Sequence, residues 1–360
     1  MKKLLYIGDN PQKTSNGGDW VNKRNILALQ ELYSNKFYIY PIKCRNSITT
    51  FINLLNYYML GLSSRTAKNI IKYVEKNNIT SIFLSSSKLG KLAYILKKKF
   101  PNIHIYTFFH NIEKQYTAEE YRINPNFKNW IVRQVTKYNE SLVCKYADKL
   151  IVLNERDNSL LNQIYGLNAD ILLPTTFIDK FQPELKKTKT SINSQFTLLF
   201  VGFAFFANIE GIKWFIENVF PELQNCKLQI VGNGMDKIFT STSNIEVHGY
   251  VEDLAQFYYQ ADAVILPIFS GGGMKTKTAE ALMYGCPIIG TKEAFEGYKL
   301  DFCKIGGMAN TKEDMIISIN KLKENPILIK EASNYARTIF KQSYSIQTTI
   351  EILKENLFLS

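Results

Sequence analysis

Three consecutive glycines followed by two lysines and an acid offer the most specific chemistry in the 360-residue sequence. The segment SGGGMKTKTAEALMYGCPIIG spans 270 to 290 and follows the apolar run AVILPI at 263 to 268. Glycine lets backbone N–H groups approach an anion closely, and a helix that starts near Lys275 adds its positive dipole end to those amides. Gly272, Gly273 and Met274 would then line a phosphate cradle, with Lys275 and Lys277 supplying formal charge. Glu280, about one and a half turns into that helix, is placed to accept hydrogen bonds from the two hydroxyls of a ribose. A flexible turn, an ordinary helix and a solvated Glu remain the bland alternative.

Other candidates are weaker alone. VGNGM at 231 to 235, with Gly232, follows an apolar run but is as often a plain β–α turn. GDNPQKTSNGGDW at 8 to 20 leads from a short apolar run through a polar loop to Gly17 and Gly18 at a helix start, where backbone amides could meet a ligand. His110, in FFHNIEKQY, ends another apolar run, where ligands bind in sheets of parallel strands. The chain has only three histidines, and a lone His is more often structural than catalytic.

These residues need elements to hold them. Short apolar runs alternate with segments of helical period, the pattern of parallel sheets with crossover helices. Strands are predicted at 4–8, 37–42, 81–86, 103–109, 149–153 and 170–174, then at 196–202, 227–232, 245–250, 263–268 and 287–291. The stretch 126 to 147 predicts a packing helix with Trp130, Val132, Val135, Tyr138, Leu142 and Tyr146 on one side. Pro, Lys, Thr and Ser displace apolar residues at 180 to 195, KFQPELKKTKTSINSQ, which marks an interdomain linker. The expected division is a domain at 1–182, a linker at 183–195, a second domain at 196–342 and a C-terminal helix at 343–360 that crosses back.

Length and 46% apolar content allow two cores. The best candidate span, FINLLNYYMLGL at 51 to 62, is broken by Asn53 and Asn56 and is too short for a bilayer. The N-terminus lacks the apolar core of a signal peptide, so a cytoplasmic location is expected. Five widely spaced cysteines suggest neither zinc nor disulfides. Residues 1 to 180 hold 26 of the 44 basic and 13 of the 32 acidic residues, leaving 18 and 19 for the second half. The first half therefore carries all of the excess positive charge. Such asymmetry suits an anionic partner, a membrane leaflet or a lipid-linked phosphate, although lysine-rich solvated faces would read the same. No basic motif suited to a nucleic-acid groove is present.

The string HGYVEDLAQFYYQADAVILPIFSGGGMKTKTAEALMYGCPIIGT, 248 to 291, resembles the donor site of family 4 retaining glycosyltransferases. The resemblance implies the GT-B fold, an α/β architecture of two doubly wound Rossmann-like domains facing across a cleft. It also implies sugar transfer from a nucleoside diphosphate sugar to an acceptor hydroxyl with retention, hexosyl chemistry, no metal cofactor, and a role in polysaccharide or glycan assembly. By the same resemblance Glu280 holds the ribose, Tyr250 and Val251 frame the base, and His110 touches the transferred sugar. Glu113 and Asn154 are expected near the acceptor.

The sequence departs from the family at two points. The first of two carboxylates expected seven residues apart would fall at Gly272, and the usual Arg and Lys after Gly202 are missing from VGFAFFANIEGIKWF, which offers Asn208 instead. Lys275 or Lys277 is therefore expected to neutralise the diphosphate. Leaving-group assistance is favoured over a carboxylate nucleophile. The rival readings are a non-catalytic partner subunit with a degenerate donor site and a nucleotide-sugar epimerase. A lipid-linked glycan is the expected acceptor, with peripheral contact at an anionic membrane surface.

Overall fold

The computed structural model describes residues 2–11, 16–42, 48–185 and 195–358. The chain divides into two compact units, Met1–Pro174 with Thr349–Ser360, and Thr175–Thr348.

The sheet of unit 1 contains β1 (Leu4–Gly8), β2 (Phe37–Pro41), β3 (Ser81–Leu84), β4 (His104–Phe108), β5 (Lys149–Val152) and β6 (Ile171–Leu172), in the order β2-β1-β3-β4-β5-β6. All of its pairings are parallel. Helices α1 (Gly17–Tyr33), α2 (Ile48–Leu55), α3 (Ser64–Asn77), α4 (Gly90–Lys99), α5 (Glu113–Ile123), α6 (Phe127–Tyr146) and α7 (Glu155–Tyr165) fall between the strands. A parallel sheet covered on both faces needs continuous apolar strands rather than alternating ones. β1 meets that need, with Leu4, Leu5, Tyr6 and Ile7 all fully buried. One side of the sheet packs Leu5, Ile7, Ile82 and Leu84 against Ile70 and Val74 of α3 and Leu92 and Leu96 of α4.

Unit 2 repeats the plan. Its strands are β7 (Phe196–Val201), β8 (Cys226–Val231), β9 (Ile245–His248), β10 (Ala263–Leu266), β11 (Ile288–Gly290) and β12 (Gly306–Met308), in the order β12-β11-β10-β7-β8-β9. These pairings are parallel as well. The helices are α8 (Phe206–Asn218), α9 (Ala255–Gln260), α10 (Thr276–Met283), α11 (Phe302–Ile305), α12 (Lys312–Glu324), α13 (Pro326–Ile339) and α14 (Ile346–Leu353), whose later residues belong to unit 1. The strand order reverses between β7 and β10, so α8 and α10 start side by side, the position at which such sheets bind ligands.

The chain passes into unit 2 at Thr175, ahead of the Pro- and Lys-rich stretch. Residues after Pro174 are tied to unit 2: the Thr175 N–H points at Met274 Sδ, Phe177 bridges to Ser345, Arg337 pairs with Asp179 at 2.6 Å, and the Tyr259 hydroxyl meets the Gln182 N–H. Residues 186–194 of the expected linker and Cys44 lie outside the described residues. The chain's last segment is held in unit 1 by Tyr33 on the Leu357 carbonyl and Lys149 on the Asn356 carbonyl.

Two local expectations change. β12 is too short and glycine-rich to read from its sequence. The buried side of α6 consists of Ile131, Val135, Thr136, Asn139, Glu140 and Val143, rotated from the expected stripe, and Trp130 and Tyr138 are exposed. Polar side chains occupy that buried face because they hold neighbouring segments. Asn139 receives the Lys91 N–H at 2.8 Å and donates to the Tyr57 carbonyl at 3.1 Å. An apolar-period reading cannot register such residues.

Candidate functional site

In unit 2, β10 is fully buried and leads into the glycine loop, where Gly271 and Gly273 hold φ of +118° and +62°. Most side chains disfavour that region. Lys275 occupies the N-cap of α10, but a lysine has no acceptor to offer, and no side chain caps the helix start. Its ammonium folds back over the loop, lying 2.6 Å from Glu293 Oε1 and donating to the carbonyls of Gly272 and Gly273. The Tyr298 hydroxyl donates to the Lys275 carbonyl at 2.7 Å. Lys275 is thus a tie that shapes the loop, with its charge already engaged by Glu293.

Lys277 sits differently. Its ammonium donates to Asn208 Oδ1 of α8 and lies 4.9 Å from the centre of the buried Phe200 ring of β7. A Cβ built on Gly202 would be 3.1 Å from Lys277 Nζ, so the lysine crosses the end of β7. Burial, with Lys275 adding to it, pulls the Lys277 pKa down to about 7. Asn208 is held in turn by its own donation to the Phe203 carbonyl at 2.9 Å. Gly232, at the end of β8, completes this corner, since a Cβ there would lie 1.9 Å from the Gly202 carbonyl oxygen.

Glu280, one turn further along α10, accepts from the Tyr258 hydroxyl at 3.0 Å, and Tyr258 stacks on Tyr284 with ring centres 4.6 Å apart. Burial raises the Glu280 pKa to about 7 against the lowering effects of Tyr258 and Lys180. The residue as a whole is half-buried, its carboxyl end being the enclosed part. Lys277 and Glu280 form no ion pair with one another among the described contacts. Met274 is buried, with its sulfur facing the Thr175 N–H at 3.4 Å, so only its backbone is left for a ligand. Gly272 is exposed, Tyr250 is 66% exposed just beyond β9, and Val251 is half-buried beside it.

The candidates of unit 1 gather at the carboxyl ends of β1, β3 and β4. A cavity of about 750 Å³ there is lined by Gly18, Asp19, Asn22, Lys88, His110 and Glu113, among others. His110 Nε2 is 3.1 Å from Asn22 Oδ1. Burial, reinforced by Lys88 and Arg24, lowers the His110 pKa to about 4, so the imidazole is neutral at physiological pH. Lys88 pairs with Glu113 at 2.8 Å. Gly17 opens α1, whose cap Asn16 accepts from the Asp19 N–H at 3.0 Å, while 12–15 of the preceding loop lie outside the described residues.

Asn154 is elsewhere in unit 1. It caps α7 by accepting from the Asp157 N–H at 2.9 Å and does not line the cavity.

Three contributors escape the sequence reading. Glu140 lies fully buried beneath the cavity: Oε1 accepts from the Glu113 N–H and the Ser87 hydroxyl, and Oε2 from the Lys114 N–H and the Tyr165 hydroxyl. It thereby caps the start of α5 and places Glu113. Tyr258 and Glu293 orient Glu280 and Lys275. No local motif marks these residues, because each acts on a partner distant in sequence. Among the described residues no group of three or more His, Cys, Asp or Glu side chains is arranged to hold a metal ion.

Residues 195–300, within unit 2, match the family model of glycosyl transferases group 1. Among curated proteins none matches the sequence. Solved structures share the fold. A sucrose-phosphate synthase from Thermosynechococcus elongatus superimposes with a TM-score of 0.76 at 13% identity over 99% of this chain and 100% of the other. HepE of Anabaena, in complex with UDP-glucose, gives 0.69 at 13% identity with the same coverage. The lipopolysaccharide outer core galactosyltransferase WaaB gives 0.67 at 13% identity over 100% of this chain and 99% of that one. The fold is GT-B, with two six-stranded parallel sheets.

Proposed function

We propose that this chain is a retaining glycosyltransferase that moves a hexosyl group from a nucleoside diphosphate sugar to an acceptor hydroxyl in cell-surface polysaccharide or glycan assembly. The observation that carries this reading is the enclosure of the charged ends of one cation and one acid, Lys277 and Glu280, on one helix beside the glycine loop, each hydrogen-bonded to a neutral side chain. A buried ammonium beside uncapped amides suits a diphosphate, and a buried carboxylate suits a ribose diol. Lys277 takes the charge that grows on the departing diphosphate, in place of a metal ion. Met274 and the loop amides assist through the backbone, and Tyr250 and Val251 frame the base.

No carboxylate stands at Gly272, so retention proceeds by leaving-group assistance: the departing phosphate oxygen takes the proton of the acceptor hydroxyl as the new glycosidic bond forms on the same face. His110, neutral and in contact with Asn22, orients the transferred sugar through a hydrogen bond, and Glu113 meets the acceptor. HepE was solved with UDP-glucose and WaaB acts on the lipopolysaccharide outer core. These relatives favour a UDP-hexose donor and a lipid-linked glycan acceptor.

The test is a panel of nucleotide sugars led by UDP-glucose and UDP-galactose, with diphosphate release and anomeric configuration followed by NMR. Slow release that Lys277→Ala and Glu280→Ala each abolish supports the proposal. Donor binding without release from any sugar would point to a partner subunit. Conversion of one nucleotide sugar into its epimer would point to an epimerase.

A further inference from the structure

Unit 1 carries a helix with its apolar face turned outward. α2 reads ITTFINLL, and Phe51, Ile52 and Leu55, one side of its surface, are 45%, 52% and 54% exposed. Leu54, pointing elsewhere, packs with Met59, Ile131 and Val135. A short helix with that composition would ordinarily bury the three side chains it exposes.

The exposed strip continues onto α6. Tyr57, just after α2, meets Tyr138 with ring centres 4.4 Å apart, and Phe127 stacks on Trp130 at 6.0 Å. Phe127, Trp130 and Tyr138 recur at helical spacing on one side of α6, and Ile123 at the end of α5 is 67% exposed. Arg133 and Lys137 share that side. With Lys114 of α5 they line a pocket of about 280 Å³ that holds no carboxylate among its described lining residues. None of the three forms an ion pair with a described carboxylate.

We propose that this face of unit 1 docks on an anionic lipid bilayer, its apolar strip entering the acyl boundary and Lys114, Arg133 and Lys137 meeting lipid phosphates. Charge complementarity selects this occupant. The cations next to the strip pair with no carboxylate among the described residues, and residues 1 to 180 carry 26 basic against 13 acidic side chains. The mix of aliphatic, Trp and Tyr side chains suits the layered polarity of a membrane interface, which a nucleic-acid backbone does not offer. No helix among the described residues is long and apolar enough to cross a membrane. The inference goes beyond the sugar-transfer reading and stands or falls separately from it.

The test is co-sedimentation of the full chain with phosphatidylglycerol–phosphatidylcholine vesicles and with phosphatidylcholine alone, at low and high salt. The expected result is binding to the anionic vesicles that salt weakens. It should fall roughly fivefold for each cation lost in Arg133→Gln and Lys137→Gln, and at least about tenfold in a Phe51→Ser, Ile52→Ser, Leu55→Ser triple variant. The charge variants and the salt series keep the test decisive should the triple variant fold poorly. No binding to anionic vesicles, equal binding to phosphatidylcholine alone, or variants that bind like the parent would overturn the proposal. So would a dimer that the triple variant turns into a monomer, since a second copy would then cover the face.

Discussion

Replacing Lys277 by methionine should make the donor site weaker and the fold stronger, with a pH dependence that identifies the cause. The lysine's ordinary value of 10.5 is pulled down to about 7, chiefly by burial. Each pH unit corresponds to about 1.4 kcal/mol, and some solvent still reaches the residue, so keeping it charged costs about 2–4 kcal/mol. Between pH 7 and 10.5 the unfolded chain holds a proton that the folded chain has released, and the parent therefore gains stability as pH rises through that window. Methionine lacks this slope. Its advantage over the parent should be largest at and below about pH 7 and should shrink by about 2–4 kcal/mol toward pH 10. Loss of the Asn208 hydrogen bond, about 1–3 kcal/mol, shifts the comparison equally at all pH values and leaves the slope intact.

Urea unfolding of both proteins across that range measures the difference. Calorimetric titration with UDP should show roughly 10- to 100-fold weaker binding by the variant, the size of a lost charged hydrogen bond. Parent affinity should decline as pH passes about 7, because the neutral amine no longer attracts a diphosphate. A stability difference that does not move with pH, together with unchanged UDP affinity, would refute the reasoning and leave Lys277 as an ordinary packing side chain.

Glu280→Gln should weaken UDP binding about tenfold and remove the parent's preference for UDP over its 2′,3′-dideoxy form, as titration with both would register. Its raised pKa of about 7 means the folded chain holds the extra proton from pH 4.5 to 7, so the parent loses stability with rising pH there and the Gln variant should not. Glu140→Gln should destabilise the chain by about 2–3 kcal/mol in denaturant, because the amide NH2 must face one of the two donor pairs that the carboxylate accepts. His110, lowered to about 4, should show no imidazole titration between pH 5 and 8 by NMR. The unfolded chain binds the extra proton between about 4 and 6.5, so burial of this neutral ring costs stability as acid is added through that window.

Periodicity made the sheets legible. Strands such as FTLLFV and AVIL are continuous apolar runs because both faces of a parallel sheet are covered, and only the glycine-rich β12 was too short to register. The grouping of the glycine loop with Lys277 and Glu280 was legible because these residues lie within one short stretch of sequence that leads from β10 into α10. The separate environments of Lys275 and Lys277 were not, since they depend on Glu293 and Asn208, respectively 18 and 69 residues away. The passage between the units at Pro174 and Thr175 was not legible for a related reason. Composition locates a polar stretch, but packing by Asp179 on Arg337 and Gln182 on Tyr259 decides which unit a segment joins.

The spacing of Lys277 and Glu280 makes their separation informative. Three residues apart on one helix, an ammonium and a carboxylate can pair, and on an exposed face such a pair contributes a few tenths of a kcal/mol. Here each turns to a neutral partner on a different element, Asn208 of α8 and Tyr258 of α9. Burial then drives the two pKa values toward each other until both stand at about 7. A purely structural core would have closed the pair or replaced it with apolar side chains, since buried unpaired ionisable groups cost stability. Keeping them apart makes sense when the compensating groups arrive together on one ligand, an anion for the lysine and a diol for the acid. On the proposed reading, that cost becomes binding energy only for a molecule that presents both groups at the spacing α10 imposes.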